Sequence, residues 1–324
     1  MFALVFHILI PDTEIIMINE QIWNYSILQN GVIERNIYIK AKKHGRPLRI
    51  AHLTDLHLNY CNSKDIEEND PVLMSTYEHR EWLKDGSSLP NATRVLEHTK
   101  NADAIVVTGD ILDYLSYGCE ELAIKHIFTP YPNIIASLGN HETARKVQGL
   151  YPETMSYAEK TERLKGFWPN ELCYSSKVID ERVMIIQMDN CSNGVGFFDE
   201  QIRPLSADIE TARKNGYIIL LFFHIHISPN DEKYSTANAC TVGDEAWATV
   251  DLNRYGVSEK HGVASKKICE LISSSADVIK ACFCGHMHSD FYCEIKAEGE
   301  KNIPQYILIG TPYGKGHLMN INVE

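Results

Sequence analysis

Short apolar runs recur along the chain and alternate with stretches whose hydrophobic positions repeat at helical spacing, which is the pattern of a layered α/β fold. Strands are predicted at Leu48–Leu53, Ala104–Thr108, Asn133–Ser137, Val183–Met188, Tyr217–Phe223, Val278–Cys284 and Gln305–Ile309. Rich in β-branched and aromatic residues and closed by polar residues or glycine, they read as buried strands. Asp70-Pro71 offers an N-cap and a first-turn proline, with Gly86 as the stop of the segment holding Trp82 and Leu83. A second helix is expected from about Asn91 to Lys100, and Gly118–Phe128 and Leu205–Lys214, the latter closed by Gly216, fit crossover helices. Residues 1–45 read as a β-rich preface and 46–324 as the main domain. The stretch 228–262, rich in Asn, Asp, Thr and Gly with isolated Tyr234, Trp247 and Tyr255, is long for a connection. It reads either as a substrate-facing insertion or as an ordered surface excursion.

The chemistry sits where the apolar runs stop. Asp55 and His57, two positions apart after the first strand, project to one side of an extended tip and can grip one ion. The second run ends in Gly109-Asp110, the third in Gly139-Asn140-His141-Glu142, the fourth in His224-Ile225-His226 and the fifth in Gly285-His286-Met287-His288. Asp110 and Asn140 lie one strand–helix–strand crossover apart, so their tips are expected to be neighbours. Burying that many carboxylates and imidazoles costs several kcal/mol each unless they are paired or metal-bound, so ligation explains five such endings better than packing does.

A net charge of −12 disfavours long nucleic acid as a partner. Nine cysteines, odd in number and scattered, point to a reducing compartment and a cytoplasmic location. The apolar start MFALVFHILI, closed by Pro11-Asp12, is too short to span a bilayer. Cys282, Cys284, His286 and His288 lie on one strand and its turn, a poorer zinc set than two separated knuckles. Gly310–Gly316 lacks the Lys-Ser/Thr ending of a phosphate loop and reads as a turn after the last core strand.

Taken together, Asp55-x-His57, Gly109-Asp110, Gly139-Asn140-His141-Glu142, His224 and Gly285-His286-x-His288 resemble the ordered motif set of the calcineurin-like metallophosphoesterases, over residues 49 to about 315. The resemblance implies a four-layer α/β/β/α sandwich of two mixed β-sheets flanked by helices. It also implies one metal ion on Asp55, His57, Asp110 and His288, and a second on Asp110, Asn140, His224 and His286, with Asp110 bridging. Mixed nitrogen and oxygen donors suit Mn, Fe, Zn or Co. His141 would be the non-ligand histidine that stabilises phosphoryl charge or protonates the leaving alkoxide, and Glu142 would orient a ligand from behind. Relatives often carry a proline within two residues after the fourth-motif histidine, whereas here His226 occupies that place and Pro229 comes later. His224, directly at the strand end, is the preferred ligand, and His226 reads as a pocket residue or one that orients a ligand. The activity implied is hydrolysis of a small phosphodiester or phosphomonoester by a metal-bridging hydroxide. A metal-dependent nuclease on the same site is the rival enzyme. A non-catalytic protein-binding scaffold is the rival of another class, and such a chain should show gaps in the motif set.

Overall fold

The computed structural model describes residues 24–80, 88–144, 155–192, 194–238, 249–299 and 301–324. The apolar start of the chain, the expected helix end at Gly86 with Trp82 and Leu83, and Trp247 lie outside them. One sheet contains β1 (Asn24–Ile27), β2 (Ile33–Ile39), β3 (Leu48–Leu53), β4 (Ala104–Thr108), β5 (Ile134–Ser137) and β14 (His317–Val323), in the order β1-β2-β14-β3-β4-β5. The other contains β6 (Tyr174–Ile179), β7 (Val183–Met188), β8 (Ile218–Phe222), β11 (Ile279–Cys284), β12 (Phe291–Ile295) and β13 (Ile303–Ile307), in the order β12-β13-β11-β8-β7-β6. Both are mixed. β3, β4 and β5 run parallel, as do β7, β8, β11 and β13, whereas β14 meets β3 antiparallel.

Alternation along the strands assigns the layers. Leu48 and Ile50 of β3, Ala104 and Val106 of β4, and Ile218, Leu220 and Phe222 of β8 meet between the sheets. The intervening Ala51, Leu53, Ile105 and Val107 face helices instead. After α1 (Ser63–Glu68) and α2 (Pro71–His79), that outer layer holds α3 (Ser88–Glu97), α4 (Tyr117–Leu122, continuing as a π-helical stretch Ala123–Phe128) and α5 (Tyr157–Lys165). On the far side, α6 (Asp199–Asn215) and α8 (Val263–Ser273) pack Leu205, Ile209 and Ile268 against Ile219, Leu221 and Phe223. Three apolar layers between four structural ones give the α/β/β/α sandwich.

Some elements differ from the pattern reading. α6 begins at Asp199, not Leu205: Pro204 stands inside the helix, where its missing N–H removes only one bond, and Asp199 and Glu200 place negative charge at the positive helix end. Gly310–Gly316 is a turn after β13 as expected, but β13 is not the last core strand, because the turn leads the chain into β14 in the other sheet. β6, β12 and β14 were not predicted. The 228–262 excursion carries a two-strand ribbon, β9 (Ala237–Asn238) with β10 (Thr249–Val250), and a short helix α7 (Leu252–Tyr255). Its return is pinned where Ser228 N–H donates to Val257 (2.7 Å) and Val257 N–H to His226 (2.7 Å).

Candidate metal centre

Parallel strands deliver their carboxyl ends to one edge of the sandwich, and the predicted polar tips meet there. Asp55, His57, Asp110 and His288 form one group of donors that could hold an ion, Asp110, His224 and His286 form a second, and His57, Asp113 and His141 form a third. Asp110 belongs to the first two. Its Oδ2 lies 3.2 Å from His224 Nε2, 3.8 Å from His141 Nε2 and 3.9 Å from His57 Nε2. His288 Nε2 is 3.2 Å from Asp55 Oδ1 and 3.1 Å from His57 Nε2.

The backbone bends sharply to achieve this. Among the described residues, nine non-glycine residues adopt positive φ, and Asp55, His57, Asp110, His286 and His288 are among them, with φ between 46° and 69°. Such conformations cost of order 1–3 kcal/mol each and persist only where the surroundings over-determine them. Glu142 supplies part of that restraint. Fully buried, it accepts the backbone N–H groups of Asp110 (2.9 Å), Leu112 (2.9 Å) and Gly139 (2.6 Å), binding the second tip to the third. Burial and the Asp110 charge push its carboxyl up to about 7. At the fifth tip, a β-carbon on Gly285 would stand 1.8 Å from Thr54 Oγ1 and 2.4 Å from Asp55 Oδ2, so only glycine admits the first tip alongside.

Three of the four imidazoles in the first two donor sets are held from behind. His224 Nδ1–H donates to the Thr108 carbonyl (2.7 Å), which turns Nε2 towards Asp110. His57 Nδ1 meets Asp113 Oδ1 at 3.0 Å, and His288 Nδ1 meets the Tyr313 hydroxyl at 2.6 Å. A ligand histidine tied through its other nitrogen to a carboxylate or carbonyl is the usual arrangement at metal sites. Asp113 also takes two bonds from Arg80 (2.9 and 2.6 Å) and one from Asn59 (2.9 Å). Burial would raise its carboxyl, but the bonds from His141, His57 and Arg80 hold it far below the usual carboxylate range. His141 Nδ1–H donates to the Asp113 carbonyl (2.7 Å), turning Nε2 towards Asp110.

Among the buried atoms of the described residues that lack a hydrogen-bond partner, three lie on proposed ligands: Asp55 Oδ1 and His224 Nε2, each 3.2 Å from an oppositely charged group, and Asn140 Oδ1. Orphaned buried polar atoms are rare, and here all three lie on residues whose chemistry suits a hard or borderline cation. The residues therefore fit a pair of metal ions. His226 stands apart: its Nε2–H donates to the Leu252 carbonyl (2.9 Å), anchoring the excursion, and burial lowers its pKa to about 4. Asp113, Arg80 and Tyr313 were not singled out in the sequence. The Asp110-x-x-Asp113 spacing was the available signal for the first, while Arg80 and Tyr313 are distant in the chain from what they touch.

The protein is a metal-dependent phosphoric ester hydrolase, as its family match shows, and its strand tips carry adjoining donor sets that share one carboxylate. It belongs to the calcineurin-like phosphoesterases, whose family model matches residues 48–290. Among solved structures, it is similar to a dimetal phosphatase from Danio rerio at 11% identity and TM-score 0.46, covering 82% of this chain and 88% of that one. It is also similar to a purple acid phosphatase from yellow lupin seeds (10%, TM-score 0.49, 90% and 50% covered). A putative 5'-nucleotidase from Staphylococcus aureus gives 11%, 0.42, 82% and 49%. The chain thus spans about half the length of the last two. No curated protein sequence matches it significantly. Among the described residues, no helix is long and apolar enough to cross a membrane.

Proposed function

We propose that the protein hydrolyses a small phosphate ester, a diester or a monoester, with two metal ions held between the strand tips. The observation that carries this reading is Asp110, a buried carboxylate common to two donor sets that also contain the unpartnered atoms Asp55 Oδ1 and His224 Nε2. Leaving such atoms unsatisfied costs about 1–3 kcal/mol apiece, which a bound cation would recover. On this reading Asp55, His57, Asp110 and His288 hold one ion, and Asp110, Asn140, His224 and His286 hold the other. The donors suit Mn, Fe, Zn or Co.

When bound, such a pair polarises the phosphoryl oxygens and lowers the pKa of water. The remaining work falls to the chain. Asp113, Thr108 and Tyr313 fix the imidazoles, Glu142 fixes the Asp110 backbone, and His141 Nε2 holds a proton at the leaving oxygen or stabilises the phosphoryl charge. The net charge of −12 favours a small substrate over long nucleic acid. Residues 46–324 are taken as the catalytic domain, with the 228–262 excursion inserted. The eight described cysteines are all free thiols, which supports a reducing, cytoplasmic setting.

Metal analysis of the purified protein, followed by a hydrolysis panel of mono-, di- and pyrophosphate esters with added Mn, tests the proposal. Chelation should abolish turnover and Mn should restore it, and Asp110→Asn should weaken both ions at once. Full activity in metal-free protein, or two tightly bound ions and normal turnover in Asp110→Asn, would overturn it.

A further inference from the structure

Arg35 lies on β2, outside the residues that match the family model, and is fully buried. Its Nε donates to Asp290 Oδ2 at 2.7 Å, and its Nη2 pairs with the same oxygen. Asp290 Oδ1 accepts the Ile309 N–H (2.9 Å), so one carboxylate joins the loop after β11 to the end of β13. Arg35 Nη2 also donates to His317 Nδ1 (3.0 Å), and the His317 ring in turn hydrogen-bonds the Tyr313 carbonyl. The Tyr313 hydroxyl lies on His288 Nδ1.

Arg35 therefore reaches His288 by two routes. One runs through Asp290, two residues further along the same loop, and the other through His317 and Tyr313 to the imidazole itself. A buried guanidinium is expensive to keep, and a stability role alone would be served as well by apolar residues of similar volume. We propose that Arg35 is a positioning residue that sets the His288 imidazole for its ion, so that the N-terminal strands are part of the metal centre. This rests on the reading of His288 as a ligand.

The test compares Mn binding and Mn electron paramagnetic resonance in the wild type, His288→Ala, Arg35→Lys and the charge-neutralised pair Arg35→Met/Asp290→Asn, each checked for folding by circular dichroism. Arg35→Lys keeps the charge but loses the fork that spans Asp290 and His317. The expected result is a folded Arg35→Lys protein that binds one Mn normally and the second about 10–100-fold more weakly, replacing a coupled-pair spectrum by an isolated-ion one. The neutralised pair should do the same. If His288→Ala keeps two ions, the ligand reading itself fails. If His288→Ala loses one while folded Arg35→Lys and the double variant bind both as the wild type does, the positioning proposal fails. Failure of both Arg35 variants to fold would mark Arg35 as structural and would also overturn it.

Discussion

Adding one methyl group at Gly139 should disable the centre without unfolding the protein. A β-carbon there would lie 2.1 Å from Asp110 Oδ1 and 2.4 Å from the Asp110 backbone nitrogen, where ordinary contact begins near 3.4 Å. Gly139 is not in the left-handed region, so alanine meets no backbone penalty and the clash is purely steric. About 1 Å must be found, and it has to come partly from the Asp110 main chain, which is held by the Glu142 carboxylate at 2.9 Å. Displacing a catalytic group by about 1 Å typically costs about 10²-fold in rate, or ~2.7 kcal/mol of transition-state stabilisation. Overpacking costs about 1–3 kcal/mol of stability, within what a domain of this size tolerates. Steady-state kinetics on a nitrophenyl phosphodiester at saturating Mn, with metal content and urea melts alongside, measure each quantity. A Gly139→Ala protein that melts like the wild type, binds two ions and turns over at the wild-type rate would refute the argument that Asp110 sits where this geometry puts it.

His224→Ala should lose one ion, whereas His226→Ala should keep both and instead speed hydrogen exchange around residues 249–257, since only the Leu252 carbonyl loses its donor; the reverse metal counts would exchange the two roles. His141→Asn should leave both ions bound and slow alkyl esters by about 10²–10⁴-fold while sparing nitrophenyl esters, and equal slowing of both would remove its role as an acid. In the metal-free protein, burial lowers the His57 and His224 pKa values, but Asp113 and Asp55 at the first and Asp110 at the second outweigh it, lifting them to about 10 and 9. These raised values stabilise the metal-free fold most fully below the unfolded pKa of about 6.5, and that contribution is lost as pH rises through 9 and 10. Ligation needs neutral imidazole, so Mn uptake should release protons and tighten as pH approaches 9 to 10. Calorimetry in buffers of different ionisation enthalpy would read this directly, and pH-independent binding without proton release would contradict it.

The tips were legible in the sequence because a buried parallel strand is a nearly unbroken apolar run, so a carboxylate or imidazole at its end stands out. β14 escaped notice for the opposite reason: Asn320 and Asn322 interrupt its apolar pattern, yet both are satisfied sideways, by Arg49 Nε (2.9 Å) and by the Ile37 carbonyl (3.2 Å). Pro204 hid the start of α6 because a proline ordinarily marks a first turn. The groups behind the imidazoles were less visible still. Tyr313 is 25 positions from His288 and Arg35 is 255 from Asp290, and no local pattern encodes contacts that the topology alone brings together.

β14 lies between β2 and β3, and Arg49 is bonded to an asparagine 271 positions later. During synthesis, β3 therefore leaves the ribosome long before the strand that covers its edge, and the β1-β2 hairpin has nothing to dock on until then. An uncovered apolar strand edge invites pairing with other chains, and long-range closures are the slow ones. The nascent chain is thus exposed to misassembly until its fourteenth strand is made.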